Sequence, residues 1–158
     1  MAHVSDVESV LAAIDEFGKS LAAQDLDGTM DLIADDPNVA VIPSEGVDAH
    51  RGLAAIEAFF GRIYAGPKRY RWHWRDRWVS AEGASASFVA LGDEFVDVEG
   101  ETRRVIPYCL TGTLLRRSGS WRFLILHGSE EATQAQSRLR EHAGEGLGRT
   151  LSRDIPRR

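Results

Sequence analysis

Residues 69–79 alternate with a period of two, and no other stretch constrains the fold as tightly. Tyr70, Trp72, Trp74, Asp76 and Trp78 fall on one side, and Arg69, Arg71, His73, Arg75 and Arg77 fall on the other. Successive side chains of a strand point to opposite faces, so this pattern predicts a long β-strand with an aromatic face and a basic face. Exposing four large rings would cost several kcal/mol at about 25 cal/mol per Å² of apolar surface, so the aromatic face is expected to be covered. Asp76 would then be a carboxylate among apolar rings, where desolvation raises a pKa toward the range useful for proton transfer.

Around this strand the period changes along the chain. Ser5 and Glu8 have capping-box spacing, and Val7, Val10, Leu11, Ile14, Phe17 and Leu21 mark one face of a helix ending near Ala23. Asp25 or Asp27 can cap a shorter helix through Met30, Leu32 and Ile33, stopped by Asp35-Asp36-Pro37. Val39–Ile42 reads as a short strand, and Ser44-Glu45-Gly46 as a turn. A third helix after Arg51-Gly52 carries Leu53, Ile56, Phe59, Phe60, Ile63 and Tyr64 and ends at Gly66-Pro67. Three more strands follow over about 84–98, bent near Gly92, 102–117 and 121–129, joined as an antiparallel meander. The reading is one α+β domain over 1–131 and a charged tail over 132–158, with a helix expected over 134–142.

The bulk numbers narrow the function classes. A chain of 158 residues, 43% hydrophobic and 27% charged, can bury a core without metal or disulfide. A net charge of -5 argues against sequence-independent nucleic-acid binding. The single cysteine, Cys109, lies in an apolar run and reads as a packing residue; no intrachain disulfide can form. There is no secretory leader pattern and no apolar run near the roughly 20 residues of a membrane helix, so a soluble, cytoplasmic protein is expected. The five histidines are scattered and no phosphate loop or dinucleotide fingerprint occurs, so neither metal nor cofactor is expected.

Three stretches in this order resemble the nuclear-transport-factor-2-like superfamily, in its SnoaL-like branch: 22–28 (AAQDLDG), 51–60 (RGLAAIEAFF), and 119–123 (GSWRF) with His127-Gly128-Ser129. The resemblance covers about residues 5–131. It implies a cone in which N-terminal helices and a curved antiparallel sheet enclose a pocket, and it implies a homodimer. Members include ketosteroid isomerase, scytalone dehydratase, limonene epoxide hydrolase and polyketide cyclases, and others bind ligands without chemistry. The ketosteroid isomerase tyrosine falls on Phe17, its base aspartate on Ile42 before Pro43, and its buried aspartic acid near Thr111. None of these carries the required group, so that activity is not expected here.

Asp76 and His127 are the acid/base candidates. His127 shares strand parity with Trp121, Phe123, Ile125 and Ser129, which puts it at the end of an apolar strand. Phe17, Ile42, Trp72, Trp74, Trp78, Tyr108 and Ser129 are expected to contact a ligand. If the faces are reversed, Arg71, His73 and Arg75 would line the cavity instead and favour an anion; a single bulge would also swap the faces midway. The first functional reading is a cofactor-independent isomerase, cyclase, dehydratase or hydrolase acting on a small, largely apolar molecule. The second is a non-catalytic module binding a small molecule or a partner. A third is a structural dimer whose interior is filled by its own side chains.

Overall fold

A computed structural model of the chain describes residues 4–45 and 48–131. Three helices, α1 (Val4–Ala23), α2 (Leu26–Asp31) and α3 (Leu53–Ala65), precede or interrupt six strands. The strands are β1 (Ala40–Ile42), β2 (His50–Arg51), β3 (Arg69–Glu82), β4 (Ser85–Asp97), β5 (Arg104–Arg117) and β6 (Ser120–Glu130). They form one curved sheet in the order β2-β1-β6-β5-β4-β3, antiparallel throughout except for the parallel pair β1–β6. The helices pack against one face of this sheet, giving the expected α+β cone, open rather than closed. No helix among the described residues is long and apolar enough to cross a membrane.

The local signals place most elements. Asp25 caps α2, its carboxylate accepting from the Gly28 amide at 2.9 Å; α2 ends at Asp31, short of Leu32 and Ile33. Gly52 opens α3 with φ of 79°, a left-handed conformation that costs glycine little. Helix α1 already runs from Val4, so Ser5 lies inside it rather than capping it. The two-residue strand β2 has no counterpart in the sequence reading, being too short for a periodic signal. The helix expected over 134–142 and the tail to 158 lie outside the described residues.

Two irregularities decide which residues face the helices. Between Trp74 and Asp76 the β3–β4 register slips by one: Trp74 stands opposite Gly92, and Asp76 opposite Leu91. Between Thr113 and Leu114 the β5–β6 register slips as well: Thr113 opposes Ile125 and Leu114 opposes Phe123, leaving Leu124 unpaired. Each extra residue reverses the inside–outside alternation beyond it. Both slips sit across from a glycine. A Cβ on Gly92 would lie 2.0 Å from the His73 carbonyl oxygen, and one on Gly112 would lie 2.3 Å from that of Ile125, so both backbones approach closer than any side chain allows.

The core fills the narrow end of the cone. Val10, Ile14 and Phe17 of α1 meet Phe88, Leu114 and Phe123 of the sheet, all at most 3% exposed. Phe17 is the hub: its ring lies 5.2 Å from Phe123, 5.8 Å from Phe60 and 5.7 Å from Trp72. The fully buried Thr29 hydroxyl bonds both the Asp25 carbonyl and the Tyr64 hydroxyl, tying α2 to α3. Ion pairs such as Arg77–Asp15 and Arg116–Asp6 clip α1 to the sheet at its exposed margin, where each contributes at most about 1 kcal/mol.

Candidate functional site

At the wide end the same sheet face does not fill. Between α1, α3, the β1–β2 connection and strands β3 to β6 lies a cavity of about 190 Å³. Phe17, Phe59, Phe60, Tyr70, Trp72 and Tyr108 supply aromatic walls, and Leu21, Val41, Ile42, Ile63, Leu110 and Leu126 supply aliphatic ones. Its polar groups are Ser44, Glu45, Glu94 and Glu130, with the two tyrosines. The volume is below the 300–1,000 Å³ of drug-sized sites, so it matches a compound of about one ring.

Glu94 is the dominant feature. Strand β4 runs from Ser85 to Asp97 with Ala86, Phe88, Ala90 and Val96 buried, and Glu94 shares their parity. It is 5% exposed and stands directly opposite Trp72, whose indole Nε1 donates to its Oε1 at 2.9 Å. Burial pushes its carboxyl up to about 7; the Trp72 hydrogen bond opposes this, and the nearby Glu130 and Glu45 add to it. A carboxylic acid poised there can give or take a proton near neutral pH. Glu130 pairs across β5–β6 with Tyr108 and accepts from the Ser44 hydroxyl at 2.6 Å. Burial holds Tyr108 far above the ordinary phenol range and pushes Tyr70 up to about 12, so both hydroxyls are neutral donors. Among the described residues no three metal-ligating side chains converge.

The structure distributes the expected site residues unevenly. Phe17, Ile42, Trp72 and Tyr108 line the cavity. Trp74 is half-buried beside it, 5.3 Å from Trp72 and 6.4 Å from Tyr108. Asp76 and Trp78 are on the opposite face: the β3 bulge turns both outward, leaving Asp76 exposed and Trp78 50% exposed. His127 and Ser129 are exposed on that outer face for the same reason, since the β6 bulge turns Leu126, Gly128 and Glu130 inward in their place. Asp76 and His127 share that outer face with strands β4 and β5 between them, so they neither meet each other nor reach the cavity. Arg71, His73 and Arg75 are also outward and exposed; Arg71 pairs with Asp97 and Arg75 with Asp93, so they do not form an anion-binding cavity wall.

Glu94, Glu130, Glu45, Ser44 and Tyr70 were not among the expected site residues. For Glu94 the signal was present, an acid in register with Ala86, Phe88, Ala90 and Val96 on a strand that no bulge interrupts. For Glu130 the only signal was Gly112, an interior strand glycine marking the slip across from it.

The comparisons agree with this architecture. The family model described as a SnoaL-like domain matches residues 10–133. A candidate dehydratase of the NTF2-like family from Streptomyces avermitilis has a similar structure, with a TM-score of 0.72, 19% identity, and 82% of this chain and 98% of that chain covered. A candidate calcium/calmodulin-dependent protein kinase type II association domain from Thiobacillus denitrificans is similar at a TM-score of 0.63 and 26% identity, over 77% of this chain and 94% of that one. An NTF2-like protein of unknown function from Pseudomonas putida is similar at a TM-score of 0.73 and 14% identity, over 86% and 94%. No curated protein matches the chain. With a family model that matches residues 10–133, this chain belongs to the SnoaL-like domain family, and its fold is that of the NTF2-like structures it resembles.

Proposed function

We propose that the chain is a cofactor-independent enzyme that acts on a small, largely apolar molecule by acid/base chemistry, with Glu94 as the proton-transfer group. The observation that carries this reading is one buried acid, Glu94, 5% exposed as a residue, on the wall of an aromatic cavity and poised near neutrality. In such a site Glu94 removes a proton from the substrate, and the Tyr108 and Tyr70 hydroxyls donate hydrogen bonds to oxygen charge that develops. Isomerase, cyclase, dehydratase and hydrolase chemistry all use these elements, and SnoaL-like and NTF2-like folds serve small-molecule enzymes and binders. The outward Asp76 and His127 take no part in this scheme.

The test is conversion of a panel of one-ring ketones, enols and alcohols, followed by NMR, with the intact chain and with Glu94→Gln. Turnover should rise from pH 6 to a plateau above pH 8, as the base form of Glu94 fills. It should fall at least a hundredfold in the variant, since a positioned base contributes about 10²–10⁴. Undiminished turnover in Glu94→Gln would remove Glu94 from the chemistry.

A second reading, a non-catalytic module binding a small molecule or a partner, draws on the similarity to a kinase association domain at 26% identity. It expects saturable binding with no product. The proposed protein is a cytoplasmic homodimer, and the outer sheet face, where Trp78, Leu91 and Val105 are exposed, is the surface a second copy would cover.

A further inference from the structure

The cavity wall is charged with one sign only. Three of its lining residues, Glu45, Glu94 and Glu130, are acids, and none is lysine, arginine or histidine. Lys68 lies 3.5 Å from Glu45 but does not line the cavity. Arg104 is exposed, does not line the cavity and is the weakest of the influences on Glu94. Trp72 occupies Oε1 of Glu94; no donor among the described residues meets Oε2, and that oxygen is not fully buried. Glu94, a residue 5% exposed, thus lines a hollow walled by Phe17, Phe59, Phe60, Tyr70 and Trp72 with one carboxylate oxygen that has no donor.

Resting on the ligand-binding reading of the same cavity, we propose that its ligand is a small protonated amine, with the ammonium held by Glu94 and Glu130 and an apolar body against the aromatic wall. An ammonium brings three donors to acceptors that the protein leaves open, and it cancels charge that burial makes costly. Aromatic faces attract the same cation. A carboxylate or phosphate ligand meets only like charge there. A neutral alcohol offers one donor and no compensation.

The reading has a pH signature. Glu94 is faced by Tyr70 and Trp72 from β3, Tyr108 and Arg104 from β5, Glu130 from β6 and Glu45 from the β1–β2 connection, while α1 and α3 present only Phe17, Leu21, Phe59, Phe60 and Ile63. Both tyrosines stay neutral below pH 9, and His50 of β2, stacked on Phe59 at 4.3 Å, does not line the cavity, so Glu94 is the lining group that burial brings into the range pH 6–8. An ammonium selects its ionised form, so affinity weakens about tenfold from pH 8 to pH 6, and protons leave on binding.

Calorimetry of the full chain with 2-phenylethylamine, benzylamine, 2-phenylethanol and phenylacetate tests this. At pH 8 at least one amine should bind ten times more tightly than the alcohol, with phenylacetate silent. Glu94→Gln should lose that preference and the pH dependence while keeping its affinity for the alcohol within threefold, which shows the cavity intact. An alcohol bound as tightly as the amines, amines that give no heat, or an amine indifferent to Glu94→Gln each overturn the proposal. A neutral compound turned over through Glu94 overturns the amine inference and leaves the acid/base reading standing. An amine bound but never converted does the reverse.

Discussion

The narrow and wide ends of the cone are built from the same sheet face and handled in opposite ways. At the narrow end Val10, Ile14, Phe88, Leu114 and Phe123 interdigitate and leave no polar atom to satisfy. At the wide end Tyr70, Trp72, Glu94, Tyr108 and Glu130 surround a hollow, and a buried acid keeps an open oxygen. One end supplies cohesion, and the other gives some of it up to a hollow and a buried acid. The contrast predicts that large side chains removed from the first end cost stability, whereas neutralising the second end raises it.

Phe123→Ala is the largest test. It removes a ring 1% exposed that touches both Phe17 and Phe88, and it should cost about 3–5 kcal/mol in urea unfolding. A loss under 1 kcal/mol would mean that the narrow end is not the cohesive one. Next comes Glu94→Gln, which keeps an acceptor for Trp72 and removes the charge. A carboxyl near 4.5 in the unfolded chain and about 7 in the folded one binds more protons folded than unfolded. Its favourable contribution is therefore complete below pH 4.5 and is lost as pH rises through 7, the reverse of an ion-paired carboxylate. The variant should gain roughly 2–3 kcal/mol at pH 8 and almost nothing at pH 4, read from unfolding curves at both values. Equal gains at both would show that Glu94 is not desolvated. Smallest of all, Asp76→Asn and His127→Ala, both exposed, should each change stability by no more than about 0.5 kcal/mol and leave ligand affinity unaltered.

Periodicity located the helices and long strands because each buries one continuous stripe, as α1 does with Val10, Ile14, Phe17 and Leu21. The same reasoning misplaced Asp76 and His127. Parity counts from one residue to the next, and one extra residue in β3 or β6 reverses every assignment beyond it. Upstream of the β3 slip, Trp72 and Trp74 were read on the correct side; downstream of it, Trp78 was not. Glu94 lay on an uninterrupted strand and was legible, but a stripe of tryptophans is a stronger visual signal than one acid among alanines. Glu45 and Ser44 come from the β1–β2 connection, which carries no period at all.

The paired slips also bear on how such a chain can diversify. Removing a single residue at either one would rotate half a strand by 180° and exchange what the interior sees: Asp76 and Trp78 would turn inward on β3, or His127 and Ser129 would replace Gly128 and Glu130 on β6. No point substitution alters so many wall positions at once. A scaffold with two such hinges of parity can exchange the Glu130 carboxylate of its wall for an imidazole through a one-codon deletion, with its helices and strand order left as they are.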